Sequence, residues 1–451
     1  MTDLSIKRLG GARFPSPIHL GTEPGDLLAD FTPDDERIIA DLSMDRLREQ
    51  IAAGAEIPSI EKAGPREKIY FEPVRLKAGI VTCGGLCPGL NNVIRGLVMT
   101  LYHGYGVRDI KGFSFGYAGL DPSEGHPIVQ LEPEDVRNIH TMGGTILGTS
   151  RGPRDPAVMV DRLEELGIGL LFTVGGDGTF RGALAIQEEI ERRGARIGVV
   201  GVPKTIDNDI MMVDKTFGFE TAVGIASEVI RAAYYESRSA KNGIGLVKLM
   251  GRHSGFIAAT AALAMRNVNL VLVPEMHFDL EGPKGLYGYL EGRFAIGKST
   301  VIVVAEGAGQ RHLEEAAGAD ASGNAKLGDI GIFLKDRIRE RFAARVDFTL
   351  KYIDPSYIIR SAPAGPPDAI FCGYLAQAAA HAGMSGRTGM AVGRSHGEFT
   401  HIPLEALVAG RKQIDPEGDL WLSVLESTGQ PFFLTEEAEK DLSRTSLGPS
   451  K

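Results

Sequence analysis

Leu170-Leu-Phe-Thr-Val-Gly-Gly-Asp-Gly-Thr-Phe180 decides the fold. Its first five residues are apolar or β-favouring and do not alternate with polar ones, as in a strand buried on both faces. Two glycines then turn the chain, and a pattern of helical period opens near Phe180. A strand that passes to a helix through glycines aims backbone N–H groups at an anion beyond the strand end. Asp177 at that turn could face a cation such as Mg²⁺ or order its waters. Turn chemistry alone also selects Gly and Asp, so the motif by itself says phosphate or nucleotide and no more.

The same texture extends outward. Apolar β-type runs at residues 77–82, 169–174, 197–202, 244–249, 270–273, 300–305 and 346–353 alternate with helical patterns at 91–105, 156–166, 180–193, 216–237, 255–265 and 284–294. Such alternation marks a doubly wound α/β fold, whose ligands collect at the carboxyl ends of the strands. The candidate residues fall there: Cys83-Gly84-Gly85 after the first run, Gly175-Gly176-Asp177 after the second, Pro203-Lys204-Thr205 after the third. Residues 1–72 read differently. They hold Pro15, Pro17, Pro24, Pro33 and Pro58 and one helical stretch, 34–53, with Asp34 or Asp35 as its expected cap. They read as an N-terminal extension that wraps a neighbouring subunit. The run 316–323 reads as a surface loop.

Pro203-Lys-Thr-Ile-Asp-Asn-Asp209 is the second informative stretch. Asp207 and Asp209 are two residues apart and share a face if the segment is extended. One could serve a metal while the other takes the proton of an attacking hydroxyl. An Asx-rich turn would use the same residues without chemistry. Gly84-Gly-Leu-Cys-Pro-Gly-Leu-Asn-Asn92 departs from G-x-G-x-x-G, so a phosphate-facing loop is the better reading than a dinucleotide fingerprint. Gly143-Gly-Thr-Ile-Leu-Gly-Thr-Ser-Arg-Gly152 sets small residues around Arg151, which could neutralise a transferring phosphoryl group; a solvated surface arginine is the plain alternative. Gly292-Arg-Phe-Ala-Ile-Gly-Lys-Ser299 satisfies G-x-x-x-x-G-K-[ST] but misleads. A phosphate loop needs a strand before it and a helix after it, and here the expected order is reversed.

Composition narrows the class. The 58 glycines among 451 residues are about twice the ~7% average share, and they cluster in short loops where backbone can approach a ligand. The net charge of −9 carries no basic tract, which argues against nucleic acid or an anionic membrane as partner. Cys83, Cys87 and Cys372 offer no zinc spacing and suit a reducing, cytoplasmic compartment. No apolar run approaches the length of a membrane span, and the N-terminus lacks the apolar core of a signal peptide.

In chain order, GGLCPGLNNVIRG, GGTILGTSRG, GGDGT, GVPKTIDND, LVKLMGRHSGFIA, VIVVAEGAG and YIDPSYIIRSAPAGPPDA resemble the phosphofructokinase family across about residues 75–405. Ala63-Gly-Pro-Arg-Glu-Lys-Ile-Tyr-Phe71 resembles the long ATP-dependent branch of plants, trypanosomatids and some bacteria. The resemblance implies two doubly wound (Rossmann-like) α/β lobes with the active site between them, plus the N-terminal extension. It divides the chain into the extension 1–72, a donor lobe 73–217 with about 358–405, a sugar-phosphate lobe 218–357 with about 406–430, and a tail 431–451. The implied reaction is Mg²⁺-dependent transfer of the ATP γ-phosphoryl group to the 1-hydroxyl of fructose 6-phosphate, in a homo-oligomer (tetramer or dimer) under allosteric control. By the same resemblance Asp207 is the base on that hydroxyl, with Thr205 and Ile206 beside it, and Asp177 and Asp209 serve the metal. Gly85, Arg151, Gly152, Gly176, Asp177, Gly178 and Thr179 line the donor site, Arg151 also stabilising the transition state. Met250, Gly251, Arg252, Glu306, Lys351, Tyr357 and Arg360 hold the sugar phosphate. A lipid or NAD kinase would share only GGDGT, and a non-catalytic regulatory chain would be expected to lose Asp207 or Arg151.

Departures from the family pattern mark where these expectations thin. Two arginines that a neighbouring subunit supplies in well-known bacterial members correspond to Lys351 and Gly243. Lysine keeps charge without fork geometry and glycine keeps neither; Lys241 stands nearby as a substitute. At the bacterial effector site Arg95 persists but Met99 replaces a basic residue, so that site is not carried over. The family uses ATP or pyrophosphate. Its pyrophosphate users typically have Asp in place of Gly178 and Lys at position 204. Here Gly178 leaves room for ATP while Lys204 keeps pyrophosphate as the alternative donor, and sterics favour ATP.

Overall fold

Leu170–Gly175 is buried along its whole length and lies inside a mostly parallel sheet. The computed structural model describes residues 3–23, 25–313, 326–432, 434 and 435. The expected loop at 316–323 and most of the 431–451 tail lie outside them. The described residues divide into two compact units.

The first unit comprises residues up to Ile206, Ile210–Gly218 and Ser361–Arg411. Its sheet, among the described residues, runs Arg37–Ile39, Ser59–Lys62, Glu398–Pro403, Met390–Ser395, Gly198–Pro203, Leu170–Gly175, Lys77–Thr82, Asp109–Phe113, Ile128–Gln130. The five strands from Met390–Ser395 to Asp109–Phe113 are parallel and the outer ones antiparallel. Of these five parallel strands Lys77–Thr82 comes first along the chain. The next parallel strand joins it on one side and Leu170–Gly175 on the other. The gap between these two strands is therefore a topological switch point, where open α/β sheets bind ligands beyond the carboxyl ends. The helix Asp177–Arg193 buries Phe180, Ala183, Ile186 and Ile190, a helical-period stripe set against the sheet core of Leu171, Val199 and Phe113. The phenylalanine and the two isoleucines each contribute about 1.5–3 kcal/mol when fully buried. Gly194, at φ +65°, stops the helix and donates to the Glu191 carbonyl.

The N-terminal segment does not form the helix expected over 34–53. Arg37–Ile39 pairs with Ser59–Lys62, which pairs with Glu398–Pro403, and only Met44–Ala52 is helical, capped by Ser43. Sheet pairing overrides helical periodicity here, and Asp34 is drawn into an ion pair instead of a cap. The segment thus widens the sheet of its own chain. A buried cluster fixes it: Glu61 meets Arg387, Arg66 and His401, and Asp34 reaches Arg387 at 2.9 Å. Burial opposes the Glu61 charge, but His401 and Arg387 hold its carboxyl down at about 2. Burial keeps His401 and His381 neutral to about 4.

The second unit comprises Asp207–Asp209, Phe219–Arg360 and the described residues from Lys412 onward. Its parallel sheet runs Leu270–Leu272, Thr300–Ala305, Ile244–Leu249, Leu350–Ile353. The run expected at 346–353 becomes strand only at Leu350. Helices Leu286–Ala295 and Ile330–Phe342 cover a core of Leu246, Ile302, Leu290, Leu334 and Phe342. Leu286–Ala295 runs into Gly292–Ser299 and the strand Thr300–Ala305 follows, so the P-loop look-alike is a helix-to-strand connection.

Candidate active site

In the first unit three loops converge at the switch point. Cys83 donates its N–H to the Val174 carbonyl (2.9 Å) and Gly84 donates to Ser150 (3.0 Å), which draws Gly85, Ser150 and Arg151 to one place. Lys204 donates to Gly175 through its N–H (2.9 Å) and to the Gly85 carbonyl through its buried ammonium. Lys204 is therefore part of the floor that joins the loops. Arg151 is exposed, with no ion pair among the described residues. Gly152 follows at φ +96°, a conformation that glycine adopts freely.

Gly176 caps the helix Asp177–Arg193, so the N–H groups of Asp177, Gly178 and Thr179 stand at its positive end. The local close approaches require glycine. A Cβ on Gly175 would lie 2.0 Å from Thr179 Oγ1, and one on Gly176 3.2 Å from the Lys204 carbonyl. A Cβ on Gly178 would meet nothing within 4 Å. Asp177 Oδ2 takes Arg181 at 3.3 Å and Arg411 at 3.2 Å. Its Oδ1 is buried and has no hydrogen-bond partner among the described residues. A lone, oriented carboxylate oxygen beside phosphate-facing N–H groups suits Mg²⁺, which takes one or two carboxylates and completes its shell with phosphate and water. Among the described residues no group of three metal-ligating side chains forms.

The Pro203–Asp209 motif straddles the two units. Thr205 lies in the first, its carbonyl accepting from Thr216 Oγ1 at 2.6 Å. Asp207 and Asp209 lie in the second, with backbone carbonyls taken by Ser254 Oγ (3.1 Å) and Lys412 N–H (2.9 Å). The extended geometry expected for them does not form. Asn208 sits at φ +56°, in the left-handed region that Asn tolerates, so the strand-like shared face is lost. Its Oδ1 accepts from Lys412 Nζ at 3.3 Å.

In the second unit the sugar-phosphate candidates gather at the carboxyl ends of parallel strands. Ile244–Leu249 leads into Met250-Gly251-Arg252, Thr300–Ala305 into Glu306, and Leu350–Ile353 into the helix Ser356–Ser361 with Tyr357 and Arg360. Glu306 donates its N–H to Leu249 (2.9 Å) and Gly307 donates to Gly251 (3.1 Å). A Cβ on Gly307 would lie 1.9 Å from the Arg252 carbonyl, so only glycine permits this approach. Burial raises the Glu306 carboxyl above its ordinary value, and Lys248, Arg252 and Arg360 offset part of that rise. The Arg360 guanidinium stands 4.8 Å from the centre of the Tyr357 ring. Lys351 is exposed on its strand. At Gly243 a Cβ would lie 2.0 Å from the Ser237 carbonyl, so the backbone has closed over the position where an arginine was absent.

The phosphofructokinase family model matches residues 77–383. The chain belongs to the phosphofructokinase family. It is 52% identical over 383 residues to an ATP-dependent 6-phosphofructokinase of Borreliella burgdorferi, covering 83% of this chain and 86% of that one. It is 46% identical over 439 residues to that of Amycolatopsis methanolica (96% and 95%) and 45% identical over 436 residues to that of Trypanosoma brucei brucei (94% and 87%). A pyrophosphate-dependent phosphofructokinase from Marinobacter aquaeolei has a similar structure, with TM-score 0.64 at 19% identity, covering 83% of this chain and 92% of the other. At that identity the likeness concerns the fold alone.

Family membership gives a context for residues that motif reading passed over. Arg181 and Arg411 grip Asp177, Glu275 accepts the N–H groups of Gly255 and Ile414, and Lys248 bridges two aspartates. Arg411 carries no local signal. Lys248 does: it is the one charge in the apolar strand Ile244-Gly-Leu-Val-Lys-Leu249.

Proposed function

We propose that this protein is an ATP-dependent 6-phosphofructokinase that transfers the ATP γ-phosphoryl group to the 1-hydroxyl of fructose 6-phosphate, giving fructose 1,6-bisphosphate and ADP. The single observation that carries the reading is the pair of strand-end clusters. One unit holds N–H groups, an arginine and an oriented carboxylate; the other holds an acid among arginines. In this reading Gly85, Gly152, Gly176 and Gly178 cradle donor phosphates through backbone groups, with Thr179 lining the same turn, and Arg151 meets the charge that develops on the transferring group. Asp207 accepts the 1-hydroxyl proton, with Thr205 and Ile206 packed beside that step. Arg252 and Arg360 take the 6-phosphate, with Lys351 contributed by a neighbouring copy of the chain; Met250 and Gly251 shape the floor, Tyr357 flanks it, and Glu306 accepts sugar hydroxyls. Asp177 and Asp209 are the residues that would serve Mg²⁺, which would neutralise phosphate charge when bound. The domain assignment follows: residues 73–217 with about 358–405 serve the donor, and residues 218–357 with about 406–430 the sugar phosphate.

Gly178 supports ATP because the space beyond it is open; Lys204 is the observation behind pyrophosphate as second reading. Its engagement with the Gly85 carbonyl gives the lysine a structural task that either donor tolerates. Three buried free cysteines support a reducing, cytoplasmic setting, and no helix among the described residues is long and apolar enough to cross a membrane. The exposed apolar side chains of Tyr357, Ile358, Ile370 and Tyr374 support a homo-oligomer.

Product identification tests the proposal. Purified protein, ATP, Mg²⁺ and fructose 6-phosphate should yield a new phosphate ester at C1 by ³¹P NMR, in step with ADP. ATP consumption with no new sugar ester, or none at all, would sink it.

A further inference from the structure

Lys248 is buried but for 12% of its side chain, on the strand Ile244–Leu249. Its ammonium lies 2.9 Å from Asp329 Oδ2 and 2.8 Å from Asp354 Oδ2. Burial works against that charge, but Asp354 and Asp329 outweigh it and hold the lysine protonated. Such an arrangement is costly to break, since removing the cation leaves two carboxylates facing each other.

The three partners differ in what they carry. Two residues beyond Lys248 the chain enters Met250-Gly251-Arg252. Across the sheet Lys248 lies in register with Val304, two residues before Glu306. Asp354 uses its second oxygen, Oδ1, to accept from the N–H (3.1 Å) and hydroxyl of Ser356, the first residue of the helix with Tyr357 and Arg360. Asp329 instead caps the helix Ile330–Phe342, accepting from Ile332 N–H at 3.0 Å, and that helix holds none of the candidate sugar-phosphate residues.

We propose that Lys248 is a positioning residue for the sugar phosphate: through Asp354 it locks the Tyr357–Arg360 helix to the strand end that presents Arg252, while its tie to Asp329 only anchors the fold. The inference rests on the function proposed above. It makes the two halves of one ion cluster separable. The Asp354 half acts on acceptor affinity; the Asp329 half acts on stability.

The test is a set of four variants of the full chain, each with fructose 6-phosphate binding by calorimetry, steady-state kinetics and a melting temperature. Lys248→Met and Asp354→Asn should each raise KM and Kd for fructose 6-phosphate by about tenfold, with kcat and the ATP KM within about twofold of wild type. Asp329→Asn should lower the melting temperature while leaving that KM within about twofold. Lys248→Arg, able to bridge both carboxylates, should restore affinity. Should Lys248→Met not fold, Asp354→Asn and Lys248→Arg carry the test. Unchanged sugar-phosphate affinity in Asp354→Asn, or an equal loss in Asp329→Asn, would overturn the positioning role. Wild-type protein that fails to bind fructose 6-phosphate would overturn the function and this role together.

Discussion

The strand-end clusters of the two units are built from opposite materials. In the first unit the switch point is shaped by backbone: Gly175, Gly176 and Gly178 keep the turn clear of side chains, and a Cβ at Gly175 would lie 2.0 Å from Thr179 Oγ1. In the second unit the same position in the fold is filled by charge: Glu306, Arg252, Arg360, Lys248 and Asp354. On the proposed reading, one fold position serves two ligands by different physics. A polyphosphate would be met by many weak, oriented dipoles that need empty space. A sugar phosphate would be met by a few strong side chains that need support from behind. Substitutions should therefore fail differently: in the first unit by volume, in the second by charge.

Asp207, where the chain passes between the two kinds of site, should show the largest effect. Asp207→Ser should lower kcat by roughly 10²–10⁴-fold with near-normal KM values, since only the proton transfer is removed. A large KM change with kcat intact would mean that Asp207 binds and does not catalyse. Next comes Gly178→Asp, the cleanest probe of volume. The position is open and lies in the first turn of a helix, where an acid is favoured, so the melting temperature should hold or rise. ATP turnover should nevertheless fall below about 1% of wild type, because the aspartate occupies donor space. Retained ATP turnover would refute the steric half of the comparison.

Glu306→Gln probes charge and should cost less. We expect KM for fructose 6-phosphate to rise by about tenfold with kcat little changed. Its pH dependence carries a sign. Burial raises this carboxyl, so it protonates as pH falls while ordinary carboxylates are still ionised. The sugar-phosphate KM should rise on acidification in wild type and flatten in Glu306→Gln. The linked stability runs the other way. A carboxyl with a raised folded pKa stabilises the fold at low pH and loses that contribution as pH rises through it.

The smallest effect on activity concerns the framework. His381 and His401 are held neutral to about 4, and Glu61 stays ionised to about 2. Below the ordinary histidine range the unfolded chain takes up protons that the fold refuses, so stability falls as pH drops from about 6.5 towards 4. Glu61 adds a further loss as pH falls through the ordinary carboxylate range towards about 2. Urea midpoints measured across that range should decline, and His401→Gln should weaken the upper part of the slope. A flat profile would mean that the buried cluster does not stitch the N-terminal strands to the sheet.

How much of this was legible in the sequence follows from the same contrast. Backbone-built features announce themselves, because glycines at strand ends are visible as letters; Gly175-Gly176-Asp177 is placed at a strand end by the apolar run that precedes it. The sheet and most helices followed from buried runs such as Leu170–Gly175. Long-range partnerships did not. The pairing of Arg37–Ile39 with Ser59–Lys62 beat a helical pattern, and Asn208 turned Asp207 and Asp209 out of an extended segment. Arg411 reaches Asp177 from 234 residues away, a contact that no local spacing encodes. Lys248 left a trace, a charge inside an apolar strand, but its two aspartates could only be paired with it in three dimensions.

Donor choice is decided most directly on the purified wild-type chain, with fructose 6-phosphate and Mg²⁺ fixed and initial rates measured against ATP and against pyrophosphate. Saturable turnover with ATP and a pyrophosphate rate at background are expected. Equal or faster turnover with pyrophosphate would contradict that expectation, and would show that Lys204 rather than the open space at Gly178 decides the donor.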